Sequence, residues 1–207
     1  MEHIQSGYLE IIIGSMYSGK TSKLVEIYRQ CKISNISVAV INHSLDNRYH
    51  DELMSTHDKI KIPCIKTEQL MDLWTDNINL DDHDIQNIPR IKDKIKIRNS
   101  NVILINESQF YHDLVEFVKL LLLYDKKVYV SGLDGDFKRE KFGQILDLIP
   151  LCDNVIKLTS LCSLCENGTK GIFTLRLTKE TEQTVVGSDN YIPVCRNCYN
   201  TKNKNIL

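Results

Sequence analysis

Three groups of residues have the types and spacing for chemistry. The first is Gly14-Ser15-Met16-Tyr17-Ser18-Gly19-Lys20-Thr21, which fits G-x-x-x-x-G-K-[ST] and follows the apolar run Tyr8–Ile13. Glycines at both ends let the backbone wrap closely around an anion, with N–H groups and a helix N-terminus facing nucleotide phosphates. Lys20 would then contact the β- and γ-phosphates, and the Thr21 hydroxyl would bind Mg²⁺. The second group ends the run Val102–Ile105, where Asn106 and Glu107 follow. An acidic group at a neighbouring strand end can support Mg²⁺ or take a proton from an attacking hydroxyl. The third is two C-x-x-C pairs, Cys162 with Cys165 and Cys195 with Cys198. Four thiolates make a closed structural Zn²⁺ site with no ligand position left for catalysis.

The remaining candidates are weaker on spacing alone. Phe110, Phe137 and Phe142 fall on loops after expected strands, where open α/β sheets bind ligands. Arg48, in a polar loop, could stabilise transferred charge.

The elements that must position these groups are legible as apolar runs. Residues 8–15, 36–43, 101–108, 127–134 and 154–161 are rich in Val and Ile and mostly lack strict alternation. That is the pattern of a parallel sheet covered on both faces. Leu24, Ile27, Tyr28 and Cys31 recur at helical spacing after the glycine-rich loop. A second helix is expected from Asp113, with Glu116 completing a capping box. The order predicts an α/β fold, a P-loop nucleotide-binding sheet with flanking helices over residues 1–159. A small zinc-held ribbon is expected over residues 160–207. Residues 44–61 read as a long loop and residues 76–100 as a surface insertion.

Composition narrows the partners. The chain has 207 residues, is 42% hydrophobic and carries a formal net charge of −1. A near-neutral chain disfavours nucleic acid as partner and accommodates a small substrate. No apolar run reaches the length of a membrane span, and no signal peptide is read at the N-terminus. Seven cysteines, four of them in pairs, suit metal binding in a reducing cytoplasm better than disulfides.

Taken in order, "GSMYSGKT", "DNRY" with "THD", "NESQF", "LDGDFKREKFG", "VIKLTSLCSLC", "RLTKETEQTVVGSDNY" and "VCRNCY" resemble the type II thymidine kinases, cytosolic and poxvirus-like. The resemblance runs from Tyr8 to Tyr199. It implies phosphorylation of thymidine at its 5′-hydroxyl by ATP with Mg²⁺, with Glu107 as the base. It also implies a lasso loop over the thymine at residues 184–191, with Glu182, Gln183, Thr184, Val185, Val186, Gly187 and Tyr191 as substrate-binding residues. Met16, Leu133 and Thr174 match positions around the base, and the three phenylalanines match aromatics enclosing the nucleoside. Arg48 and Arg176 match basic positions near the phosphates. The family further implies a homotetramer, feedback inhibition by thymidine triphosphate and a cytoplasmic location. Two positions depart from its pattern: Asn106 stands where the family has aspartate, and Val186 where the lasso has glycine.

Overall fold

A computed structural model describes residues 6–46, 53–56, 59–76, 86, 88–185 and 188–202. The polypeptide begins with β1 (Tyr8–Gly14), α1 (Lys20–Ile33) and β2 (Val38–His43), followed by the short strands β3 (Leu53–Ser55), β4 (Lys61–Pro63) and β5 (Ile65–Thr67). Then come α2 (Ile91–Asn99), β6 (Val102–Ile105), α3 (Leu114–Leu123), β7 (Lys127–Gly132) and β8 (Asn154–Leu158). The C-terminal part holds β9 (Ser160–Leu161), β10 (Lys170–Gly171), β11 (Phe173–Arg176), β12 (Tyr191–Val194) and α4 (Arg196–Lys202).

Six strands form one sheet in the order β5-β2-β6-β7-β1-β8, and every pairing in it is parallel. Parallel strands need covered faces, and the two cores supply them. One face packs Leu9, Ile11 and Ile103 against Leu114, Phe117 and Leu121 of α3. The other packs Ile12, Val40 and Leu104 against Leu24, Ile27 and Cys31 of α1. Those α1 residues were expected from helical spacing, and Tyr28 packs at the rim of the same cluster. A third, smaller core joins Leu175, Val194 and Tyr199 to Cys162 and Cys195. It lies under the antiparallel pairs β9–β10 and β11–β12.

Three expectations need correction. The polar stretch 44–61 is not all loop, because β3 pairs antiparallel with β4. The stretch 76–100 contains α2, which buries Ile97 completely. The capping box does not form. Asp113 precedes α3 but makes no cap hydrogen bond; its Oδ2 accepts from the Met71 amide at 2.8 Å. Gln144 takes over part of the capping, its Oε1 accepting from the Val115 amide at 3.1 Å. A carboxylate reaching across to another segment satisfies a donor that has no local alternative, which outweighs a cap that Gln144 can replace.

This assignment is testable. Asp113→Ala should cost about 1–3 kcal/mol by orphaning the Met71 amide. Glu116→Ala, at an exposed position, should leave stability near wild type. Chemical denaturation of the two variants checks it; equal losses would restore the capping box.

Candidate functional site

The carboxyl ends of β1, β2, β6 and β7 open on a cavity of about 390 Å³. The loop between β1 and α1 forms one wall. Its path needs residues that tolerate positive φ: Gly14 (152°), Tyr17 (61°) and Gly19 (88°). A Cβ on Gly14 would lie 2.3 Å from the Leu158 carbonyl oxygen, whereas one on Gly19 would meet nothing within 4 Å. So Gly14 is required by packing, and Gly19 by backbone conformation beside open space.

This loop has the features of an anion cradle. No side chain caps the first turn of α1 among the described residues, so its N–H groups remain for a ligand. The Ser18 hydroxyl oxygen is buried and has no hydrogen-bond partner among the described residues. Lys20 donates to the Ser15 carbonyl of its own loop at 2.7 Å. Residues Met16, Tyr17, Ser18, Gly19, Lys20 and Thr21 all line the cavity; Gly14 and Ser15 form the loop's base. The Ser15 hydroxyl donates to the Gly171 carbonyl at 2.9 Å, and the Met16 amide donates to Thr174 Oγ1 at 3.1 Å. These two bonds join the loop to the C-terminal part of the chain.

Glu107 lines the cavity opposite this loop. Its backbone is left-handed (φ 50°, ψ 39°), a conformation disfavoured for a residue with a side chain. Such strain persists only where the surroundings hold it. Gln109 is one holder: its Nε2 donates to Glu107 Oε2 at 2.7 Å, and its Oε1 accepts from the Leu133 amide at 3.0 Å. Gln109 was not anticipated from sequence, although its place in "NESQF" two residues after Glu107 was the available signal. Gly143 packs against the same residue, since a Cβ there would sit 2.2 Å from the Gln109 carbonyl.

The apolar end of the cavity is lined by Phe110, Leu133, Phe137, Phe142, Thr174 and Tyr191. Phe110 and Phe142 meet edge-on with centroids 5.6 Å apart. His43 packs against Phe110, ring centroids 5.4 Å apart and planes tilted by 52°; burial pushes its pKa below the ordinary histidine value. Gln183, Thr184 and Val185 close the cavity from above. Asp136 ties this segment down, its Oδ2 accepting from Gln183 Nε2 at 2.8 Å.

Arg176, expected beside the phosphates, is committed elsewhere. Its guanidinium donates to the carbonyls of Glu180, Glu182 and Gln183 at 2.9, 2.6 and 3.0 Å, and to the Tyr191 hydroxyl at 2.7 Å. It also stacks on Phe137, 3.6 Å from the ring centroid. It therefore clamps residues 180–183 and does not line the cavity. Glu182 is exposed and does not line the cavity; its carbonyl is held by Arg176. Arg48, Val186 and Gly187 lie outside the described residues, as does His57.

Asn106 also differs from expectation. It is buried and its amide is bonded to Asn42 and Ser131, so it stands behind the cavity wall. The acidic side chains that line the cavity are Asp46, Glu107 and Asp136. Thr21, Asp46 and Glu107 all line the cavity and carry oxygens of the kind that a hard cation such as Mg²⁺ takes.

Cys162, Cys165, Cys195 and Cys198 converge, with all four Sγ atoms within 4.8 Å of one another. The Cys165–Cys195 and Cys165–Cys198 Sγ separations are 3.7 and 3.4 Å. Tetrahedral Zn²⁺ with bonds of about 2.3 Å sets its sulfurs about 3.8 Å apart, so the cluster fits zinc.

The crowding at Gly143 gives a prediction. Gly143→Ala should destabilise more than Gly168→Ala, because both glycines have positive φ (61° and 84°) but only Gly143 has a neighbour within 4 Å. Thermal unfolding of the pair isolates the contact; equal shifts would mean that Gln109 yields without cost.

Comparison with known proteins agrees with this geometry. The thymidine kinase family model matches residues 7–199. A thymidine kinase of Oryza sativa subsp. japonica is 39% identical over 196 residues, 93% of this chain and 66% of the rice protein. That of Yaba monkey tumor virus is 35% identical over 94% of this chain and 96% of its own. That of Vaccinia virus is 36% identical over 95% and 98%. The match spans the glycine-rich loop, the Glu107 strand end and all four cysteines, and the chain belongs to the thymidine kinase family.

Proposed function

We propose that the chain transfers the γ-phosphoryl group of ATP to the 5′-hydroxyl of thymidine, giving thymidine monophosphate. The observation that carries this reading is the position of Glu107, in one cavity with the glycine-rich loop and an aromatic-walled pocket. Family membership and the thymidine kinases of plant and poxvirus origin support it.

In this reading the phosphates lie against residues 14–21, held by loop N–H groups and Lys20. The nucleoside lies between Phe110, Phe142 and Phe137, with its base under residues 183–185 and near Met16, Leu133, Thr174 and Tyr191; Glu182, Val186 and Gly187 are assigned to the same loop by resemblance alone. Segment 183–185 meets the base through backbone groups that Arg176 and Asp136 hold in place. Glu107 accepts the 5′-hydroxyl proton as that oxygen attacks the γ-phosphorus, and ADP departs in line. Such transfers depend mainly on positioning and electrostatic support. Mg²⁺, held through Thr21, Asp46 and Glu107, would neutralise charge on the transferring phosphoryl group. Arg48 is assigned to the same phosphates by resemblance.

Zinc at Cys162, Cys165, Cys195 and Cys198 has no reacting part in this scheme. It holds together the ends of the segment that carries the lasso. We further propose a division into residues 1–159, carrying ATP, and 160–207, covering the nucleoside. A homotetramer, feedback inhibition by thymidine triphosphate and a cytoplasmic location belong to the same reading, on resemblance alone. Among the described residues, no helix is long and apolar enough to cross a membrane.

Two experiments test this. Glu107→Gln keeps shape and hydrogen bonding but cannot take a proton, so kcat for thymidine should fall about 100- to 10,000-fold while thymidine still binds. A Gln variant with near wild-type kcat would remove Glu107 from the role. Cys162→Ser should release zinc and weaken thymidine binding more than ATP binding. Metal analysis of fresh wild-type protein should find one zinc per chain; its absence would reject the site.

A further inference from the structure

The sheet register places three polar residues side by side. Ile41 pairs with Ile105 and Ile105 with Val130, so the next residues, Asn42, Asn106 and Ser131, form a row across β2, β6 and β7. All three are buried, at 0%, 2% and 0% exposure. Ser131 Oγ donates to Asn106 Oδ1 at 2.8 Å, Asn106 Nδ2 to Asn42 Oδ1 at 3.1 Å, and Asn42 Nδ2 to Asp46 Oδ2 at 3.0 Å. Asp46 is the only member that lines the cavity.

The direction of this chain follows from its last member. An ionised carboxylate only accepts, so Asn42 must present its NH₂ to Asp46. Its carbonyl then faces Asn106, which must present its own NH₂. The Asn106 carbonyl in turn faces Ser131, whose hydroxyl must donate. Each bond is made in a buried, low-dielectric setting where an unmatched partner is costly. A second tie acts on the backbone, where Lys66 Nζ donates to the Asp46 carbonyl at 2.5 Å.

We propose that Ser131, Asn106 and Asn42 are a neutral positioning relay that fixes the Asp46 carboxylate in the cavity wall, where it gives anionic support to nucleotide-bound Mg²⁺. The proposal rests on the nucleotide-site reading above. The relay sets the expected outcome of Asn106→Asp. A carboxylate there would set an acceptor against Asn42 Oδ1. Asn42 could satisfy it only by turning its amide over, which would point a carbonyl at Asp46. Adding a charge at position 106 thus removes the donor that orders the charge at position 46.

The test uses the full-length protein, Mn²⁺ as probe and a non-hydrolysable ATP analogue, with Mn²⁺ affinity read by electron paramagnetic resonance. Asp46→Asn and Asn106→Asp should each weaken Mn²⁺ binding to the protein–analogue complex by about 10- to 100-fold. Ser131→Ala, which removes only the terminal donor, should weaken it less. Analogue binding in EDTA should be unchanged in all three. Unaltered Mn²⁺ affinity in Asp46→Asn would overturn the proposal. So would equal or tighter Mn²⁺ binding in Asn106→Asp, which would mean that residue 106 itself faces the metal. A parallel loss of analogue affinity in EDTA would indicate a collapsed loop and also overturn it. If Asn106→Asp does not fold, Asp46→Asn and Ser131→Ala decide. Thymidine phosphorylation by the wild type is assayed separately. Failure there with the Mn²⁺ effects intact would reject the substrate and leave the relay standing.

Discussion

Every polar group at the carboxyl end of a buried parallel sheet has to find a partner, and this constraint governs the site. Strands β2, β6 and β7 run from apolar residues straight into Asn42, Asn106 and Ser131, with no solvent to receive them. They satisfy one another across the sheet and end on Asp46 at the cavity wall. Adjacent residues turn the other way: Glu107 leaves β6 in a left-handed conformation and is met by Gln109. The cavity wall is thus the outer surface of a closed hydrogen-bond network, so its acidic groups are held before any ligand arrives.

The same logic joins the two parts of the chain. The glycine-rich loop cannot fulfil its hydrogen bonding alone, and Ser15 and Met16 reach Gly171 and Thr174. From the other side, Tyr199 donates to the Phe137 carbonyl at 2.5 Å, and Arg139 lies 4.5 Å from the Tyr199 ring centroid. Arg176 acts as a hub, gathering three carbonyls of the covering segment while stacking on Phe137. An arginine whose planar fork serves four acceptors is poorly replaced by lysine, which presents a single compact charge. Nucleotide loop, aromatic wall and cysteine cluster are therefore parts of one mechanical unit around the cavity.

Much of this was legible in the sequence because the signals are local. A phosphate loop needs glycine at fixed spacing for backbone reasons, and the loop sits where the spacing put it. Two C-x-x-C pairs converge because each pair already carries two ligands on one turn. Strands β1, β2, β6 and β7 were readable since strands covered on both faces must be apolar throughout, and β8, an exposed edge strand, by its valine and isoleucine. Shorter elements were not. Strand β5 has three residues, too few for a period to appear, and it joins the sheet only by pairing with β2. Helix α2 hides in a Lys-, Asp- and Asn-rich stretch because Ile97 alone is fully buried.

What the sequence determined by itself is the chemistry available: a loop for phosphates, a glutamate at a strand end, aromatic residues near it and four thiols. What only the tertiary structure decided is which side chains line the cavity and which stand behind its wall. Asn106 and Arg176 both carry suitable polar groups, yet their partners lie far along the chain or in the covering segment. Asn106 meets Asn42, 64 residues away, and Gln183 meets Asp136, 47 residues away. Asp46 opens the "DNRY" segment, but its place in the wall is held by Asn42, which strand register sets beside Asn106. Hydrogen bonds are satisfied through space, and a linear pattern records donors and acceptors without their partners.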